Sequence, residues 1–261
     1  MTNRSRRCAS GFAAKLLAVL LLGALPADPQ QPPISNTSAS GEFEAEGKRP
    51  ADSDPKAQPS PQSGTSNDRL FYTLPDFLTV QDAGNLPPLK TSQKLKVEAR
   101  TSFDYVEYPW YAVLAGISQA EDSERGYGQG AAGYGKRYGA AFADGTIENF
   151  MTGAILPSLL REDPRFYQMS EGRFWHRTGY AISRIFVTRT DAGREDFNYS
   201  EIVGSALSAG ISTFSYHPRA DRNWENAASV WGSMVGYDTI TIVVKEFWPD
   251  IRRKLRRNHR L

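Results

Sequence analysis

Asp144 and Glu148 are the residues of this 261-residue chain whose types and spacing come nearest to a chemical site. They are four positions apart and so share one face of a helix, where two carboxylates repel each other unless a cation pairs with them. Such a pair can act as an acid and a base, or bind a metal ion that prefers oxygen. The alternative, which we favour, is a structural ion pair with Arg137, Arg177 or Arg184.

Histidine, cysteine and serine patterns add little to this site. His176 is the histidine that would complete a hydrolase or lyase site with Asp144 and Glu148, although it can equally close a helix end by hydrogen bonding. The three histidines have no H-x-x-x-H or H-E-x-x-H spacing, and Cys8 is the sole cysteine, so we predict no metal site. Since G-x-S-x-G and phosphate-loop patterns are also missing, we predict no cofactor and assign no catalytic residue.

The C-terminal tail, residues 251–261, carries the clearest interaction signal. It contains six basic and no acidic residues. We predict that it binds an anionic surface such as lipid headgroups; the other interpretation is a solvated helix end whose cations complement the helix dipole. The residues concerned are Arg252, Arg253, Lys254, Arg256 and Arg257.

Charge elsewhere argues against a nucleic-acid partner. Residues 1–27 carry four basic and no acidic residues, and the remaining 21 basic and 29 acidic residues lie between positions 28 and 250. The body of the protein therefore has a net charge of −8, although the whole chain has a formal charge of +2. A nucleic-acid-binding domain needs its positive charge on the folded surface.

Small residues recur at a spacing of four along two predicted helices. Gly135, Gly139 and Ala143 form one row, and Gly232 with Gly236 forms another. Because small side chains let helices approach closely, we predict that these residues are helix-packing positions. Association with a second copy of the chain stays open.

Composition divides the chain into four parts. Residues 1–27 combine arginines, an apolar run and Pro26-Ala27, the pattern of a signal peptide whose apolar run is short for a membrane anchor. Residues 28–68 are rich in Pro, Ser and acidic residues and predict a disordered linker. Residues 69–250 contain nearly all the aromatic residues and predict one domain, which precedes the basic tail at 251–261.

Periodicity and capping residues predict that this domain is mainly all-α, a single bundle-like fold with small-residue helix contacts. Residues 69–80 read as an extended lead-in. The predicted helices are 94–104 capped by Thr91 or Ser92, 110–120, a central helix from between Gly128 and Gly135 to Asp163, 171–188 capped by Ser170, 202–217 opened by Asn198 and Glu201, and 224–248 capped by Asn223 and interrupted at Pro249. Within the last helix, residues 239–244 are β-branched enough to form a strand instead, but we favour a helix because the flanking segments are helical.

Five segments, GYGKRYGAAFAD, LPSLLREDPRFY, YAISRIFVTRTDAG, FNYSEIVG and KEFWPDI, carry a family resemblance. Together they make residues 90–251 resemble an uncharacterised family of exported bacterial envelope proteins. The resemblance implies export and a shared helical domain, and it implies no catalytic residue.

The sequence thus predicts an exported protein of the periplasm or outer envelope with a binding or structural role. Its expected partner is an anionic membrane surface, which it would contact peripherally, or an envelope protein. The alternative function is a cell-envelope hydrolase or lyase that uses Asp144 or Glu148 with His176. A third reading, in which residues 202–216 and 229–244 enter the membrane, is disfavoured because the first of these segments is short and polar.

Overall fold

The computed structural model describes residues 69–70, 74–80 and 86–258, and these residues form a mainly all-α domain, as predicted. The predicted signal peptide and linker lie outside the described residues. The helices are α1 (Thr91–Ser102), α2 (Glu107–Ala120), α3 (Gly130–Phe150), α4 (Leu156–Leu160), α5 (Phe174–Phe186), α6 (Tyr199–Ser215) and α7 (Trp224–Asn258). A π-helical segment, Met151–Ile155, joins α3 to α4, and short 3₁₀ helices occupy Arg125–Tyr127 and Arg219–Asp221.

Short strands cover one end of the bundle. They are β1 (Arg69–Leu70), β2 (Leu74–Pro75), β3 (Thr79–Val80), β4 (Glu162–Asp163), β5 (Phe166–Tyr167), β6 (Val187–Thr190) and β7 (Glu195–Phe197). Strand β6 is the centre of an antiparallel sheet with β4 and β7, and β3 pairs in parallel with β5. The extended lead-in predicted for residues 69–80 therefore contributes a strand beside the chain that follows the central helix.

Helix α3 and its π-helical extension form the centre of the bundle, in contact with α1, α2 and α6. Two glycines allow this packing, because a Cβ on Gly145 would overlap the Tyr111 hydroxyl and a Cβ on Gly153 would overlap the Glu98 carboxyl. The predicted packing positions are wrong in detail: a Cβ on Gly135, Gly139 or Gly232 would meet no atom within 4 Å. Ala143 and Gly236 are partly buried. Gly135, Gly139 and Gly232 therefore adjoin open space, and the close approaches use other glycines.

The helix predicted over 171–188 is shorter than expected. It begins at Phe174 because the Met169 and Ser170 amides donate to the Glu246 carboxylate, and Ser170, with φ of 60°, does not cap it. It ends at Phe186, where the chain becomes strand β6. Val187, Thr188 and Thr190 are β-branched, which favours the extended conformation.

Pro249 does not interrupt α7, which continues to Asn258. A proline inside a helix leaves the carbonyl four residues earlier without its amide donor. That carbonyl belongs to Lys245, and Gln168 Nε2 donates to it at 2.5 Å. Gln168, just after β5, thus supplies the donor that the proline lacks. The basic residues between Asp250 and Asn258 are part of the helix.

Charged side chains hold much of this bundle together. Arg177 donates from Nε to Glu246 Oε1 at 2.8 Å and from Nη1 to Asp250 Oδ2 at 2.5 Å, which fixes α5 on α7. Lys94 donates to the carbonyls of Pro157 and Glu162, which binds α1 to the end of α4. A compact apolar cluster around Trp110 and Tyr111 supplements these contacts.

Candidate functional site

Asp144 lies in a hydrogen-bonded cluster at the far end of α6, and no arginine pairs with it among the described residues. Ser212 Oγ and Tyr216 OH each donate to Asp144 Oδ1 at 2.5 Å. His217 lies between two carboxylates, with Nε2 3.3 Å from Asp144 Oδ2 and Nδ1 3.3 Å from Glu124 Oε1. The predicted ion pair with arginine is therefore wrong, because a histidine supplies the positive charge.

Electrostatics favour the charged form of His217. Burial lowers its pKa, but hydrogen bonds to Asp144 and Glu124 and the charges of both carboxylates raise the pKa to about 10. With both ring nitrogens engaged, His217 has no free lone pair to act as a base. The cluster connects α3, the end of α6 and the loop before α3, and we interpret it as a structural clamp.

The arginines proposed as partners of Asp144 and Glu148 have other roles. Arg137 donates to the carbonyls of Gly128 and Glu124, which closes the loop at the start of α3. Arg184 binds Glu195 at 2.7 Å, and Arg177 belongs to the contact between α5 and α7. Each of the three arginines therefore binds a carbonyl or a carboxylate other than Asp144 and Glu148.

Glu148 belongs to a second group, an acidic cluster that we define as Glu98, Glu148, Glu201 and Asp238. These side chains come from α1, α3, α6 and α7. Burial is the largest cause of the raised pKa of each carboxyl. The pKa is about 8 for Glu98, about 9 for Glu148 and about 6 for Asp238, and the pKa of Glu201 is also raised. Glu98 and Glu148 therefore remain mostly protonated at neutral pH, whereas Asp238 is mostly ionised.

Glu201 and Asp238 share a hydrogen bond inside this cluster. Two carboxyl groups this close cannot both ionise readily, so Glu201 holds the proton and donates to Asp238. Lys245 is the nearby cation: its charge lowers the pKa of Glu98, Glu201 and Asp238, while its ammonium lies 3.4 Å from Asp76 Oδ1. One lysine thus faces several buried acids.

A cavity of about 170 Å³ opens beside Glu201 and Asp238. Its wall is formed by the first turn of α6, the middle of α7, the end of α5 and strands β4 to β6. Asp144, Glu148 and His176 do not line it. His176 is exposed on α5 and makes no hydrogen bond or ion pair with either predicted carboxylate. The structure thus separates His176 from the two predicted carboxylates.

Sequence reasoning missed Glu98, Glu201, Asp238 and Lys245. The pair Asn198 and Glu201 predicts a helix cap, and the Glu201 amide does donate to Asn198 Oδ1, but the Glu201 carboxyl faces Asp238. The available signal was Asp238 itself, an isolated charge in the apolar segment 234–244. A lone ionisable residue in such a segment indicates a partner from another helix.

No metal site is apparent in the described part of the chain, where no group of three or more His, Cys, Asp or Glu side chains is arranged to hold an ion. Comparison with known proteins does not identify the site: no family model, no curated protein and no solved structure matches the chain. The resemblance to exported envelope proteins therefore stays a prediction.

Proposed function

We propose that this protein is a binding module of the cell envelope that attaches peripherally to an anionic membrane surface. The observation that carries the proposal is an outward apolar face on α6 and α7, which we call the α6–α7 apolar face. It consists of Val203, Leu207, Ile211, Phe214, Trp224 and Trp231. Location in the envelope rests on the predicted signal peptide.

The polarity of α6 is inverted relative to a helix of an ordinary water-soluble bundle. Its buried side includes Ser205, Ser208 and Ser212, each at most 1% exposed. Its outward side carries aliphatic residues such as Leu207, which is 45% exposed, at spacings of three and four. Polar residues inside and a continuous apolar stripe outside characterise a surface that meets lipid or another protein.

Two tryptophans extend this stripe onto α7. Trp224 is 79% exposed and stacks edge-on against Phe214, with ring centroids 4.8 Å apart. Trp231 donates from its ring nitrogen to Ser205 Oγ at 3.1 Å, which holds it beside α6. Tryptophan is enriched at the boundary between lipid tails and water, so these positions suit a membrane interface.

Helix α7 could cross a membrane by length and composition over Trp224–Leu255, and only 6% of its apolar window is buried inside the structure. We propose that it lies along the surface instead, since Asp238, Lys245 and Glu246 in its middle and C-terminal part are engaged by other side chains of the bundle. Its basic end, which includes exposed Arg253, Lys254 and Arg257, would then contact anionic headgroups.

Vesicle sedimentation tests the proposal, with vesicles of phosphatidylcholine alone or mixed with phosphatidylglycerol. The double variant Leu207→Gln/Ile211→Gln should lose binding to both vesicle types. Because each basic residue near an anionic surface contributes about 1 kcal/mol, the variant Arg253→Gln/Lys254→Gln/Arg257→Gln should lose roughly a hundredfold in affinity for the anionic vesicles only.

The matched control is Leu95→Gln/Leu159→Gln, which removes two exposed leucines from α1 and α4 and should bind like the wild type. Light scattering of the same samples separates lipid from protein partners. Suppose that the wild type does not bind vesicles but forms a dimer, and that the Leu207/Ile211 variant is monomeric. The α6–α7 apolar face then joins two copies of the chain, and the membrane proposal is overturned.

The alternative function, a hydrolase or lyase using Asp144 or Glu148 with His176, has no support in this geometry. Asp144 accepts three hydrogen bonds within the clamp, and His176 is exposed. The cavity is lined by other carboxylates.

A further inference from the structure

The cavity beside Glu201 and Asp238 contains buried polar atoms that have no partner within the described chain. Ser200 is 3% exposed and lines the cavity, and its hydroxyl makes no hydrogen bond. Glu201 Oε1 is likewise buried and unpartnered on the same wall. Since buried polar atoms in proteins are nearly always hydrogen-bonded, both atoms point to something that occupies the cavity.

One wall of the cavity is acidic. Glu201 and Asp238 lie next to each other there, and no ion pair joins either of them to a cation in the described residues. Lys245 also lines this wall, but its ammonium is 3.4 Å from Asp76 Oδ1. A positively charged group of a ligand would find two carboxyl groups here.

Another part of the wall carries a cation without a counter-ion. Arg189, on β6, lines the cavity and stacks on Tyr167 at 4.4 Å from the ring centroid, yet it forms no ion pair among the described residues. The other two arginines of the wall are neutralised, Arg165 by Asp163 and Arg184 by Glu195. The opposite charges come from different elements of the wall, Arg189 from β6 and the acidic pair from α6 and α7.

We propose that this cavity binds a small zwitterion, an amino-carboxylate whose ammonium group faces Glu201 and Asp238 and whose carboxylate faces Arg189. The Ser200 hydroxyl supplies a further hydrogen bond. The size is suitable, because a cavity of about 150 Å³ holds a benzene molecule. A molecule of roughly that size with opposite charges at its two ends satisfies each unpartnered group at once.

Calorimetric titration of the full domain tests the proposal with glycine, β-alanine and γ-aminobutyrate, which differ in the separation of their charges. Butyrate and butylamine are the single-charge controls. At least one zwitterion should bind tenfold or more tightly than either control. If none of the three does so at concentrations up to about 10 mM, the proposal is overturned.

Variants then locate the site. Arg189→Gln and Asp238→Asn should each weaken the best zwitterion at least tenfold, since each removes a charge that faces one end of the ligand. Arg194→Gln, which changes an exposed arginine of the adjoining turn, should bind normally. Circular dichroism verifies that each variant is folded. Equal binding by folded Arg189→Gln and wild type would place the ligand elsewhere and overturn the assignment.

Discussion

Replacing Glu98 by glutamine should stabilise the protein, and the gain should grow as the pH rises. Glu98 is 5% exposed and lies against Gly153 in the π-helical segment. Burial raises its pKa to about 8, and the charge of Lys245 only partly offsets this. Glutamine keeps the shape of the side chain but cannot ionise, so the variant isolates the cost of the buried acid.

The magnitude follows from proton linkage. A carboxyl with a pKa of 4.5 in the unfolded chain and about 8 in the folded one binds more protons when folded, so its contribution to stability falls as the pH rises between these values. Each pKa unit corresponds to about 1.4 kcal/mol. The penalty that glutamine removes is therefore below about 1 kcal/mol at pH 5 and about 3 kcal/mol at pH 7.

Urea unfolding of the two proteins between pH 5 and pH 8 measures this difference. The free energy of unfolding of the wild type should fall relative to the variant by up to about 1.4 kcal/mol per pH unit. Glu171→Gln changes an exposed glutamate and should show the same dependence of the free energy of unfolding on pH as the wild type. Parallel curves for Glu98→Gln and wild type would show that Glu98 ionises in the folded protein as it does in water.

Two further predictions concern packing and the histidine clamp. Gly153→Ala should destabilise by about 1–3 kcal/mol because its Cβ overlaps the Glu98 carboxyl, whereas Gly139→Ala, with open space, should be neutral or stabilising by up to about 1 kcal/mol in thermal unfolding. His217→Gln should remove a stabilisation that is complete below pH 6.5 and is lost as the pH rises through about 10. In chemical unfolding, the free energy of unfolding of the variant should therefore fall further below that of the wild type at pH 7 than at pH 10.5. An equal difference at both pH values would refute the clamp.

The helices were largely predictable because their signals are local. Asn198 caps α6 by accepting from the Glu201 amide, and Asn223 caps α7 by accepting from the Asn226 amide, as the sequence predicts. The errors at Ser170 and Pro249 have distant causes. Glu246 accepts from the amides of Met169 and Ser170, which holds Ser170 outside the helix, and Gln168 supplies the hydrogen bond that Pro249 removes. Both partners are about 80 residues away along the chain, so local patterns do not show them.

The site was less predictable for the same reason. The spacing of Asp144 and Glu148 correctly indicates two acids on one helix face, but it does not show that Asp144 meets α6 residues while Glu148 faces α7. The partners of each acid depend on which helices pack beside α3. Helix α6 approaches the π-helical segment at Gly204, and α2 and α1 approach at Gly145 and Gly153, whereas Gly135 and Gly139, which look equivalent in sequence, remain open.

Helix α6 connects the acidic interior to the proposed membrane surface, because its serines and Glu201 point inward while its aliphatic residues point outward. Retaining Glu98, Glu148, Glu201 and Asp238 inside the bundle costs stability, since apolar residues of similar size would avoid the desolvation of each carboxyl. Buried carboxyls that lower stability are more readily explained by a role in binding a ligand than by a role in folding. The nearest space for such a ligand is the cavity beside Glu201.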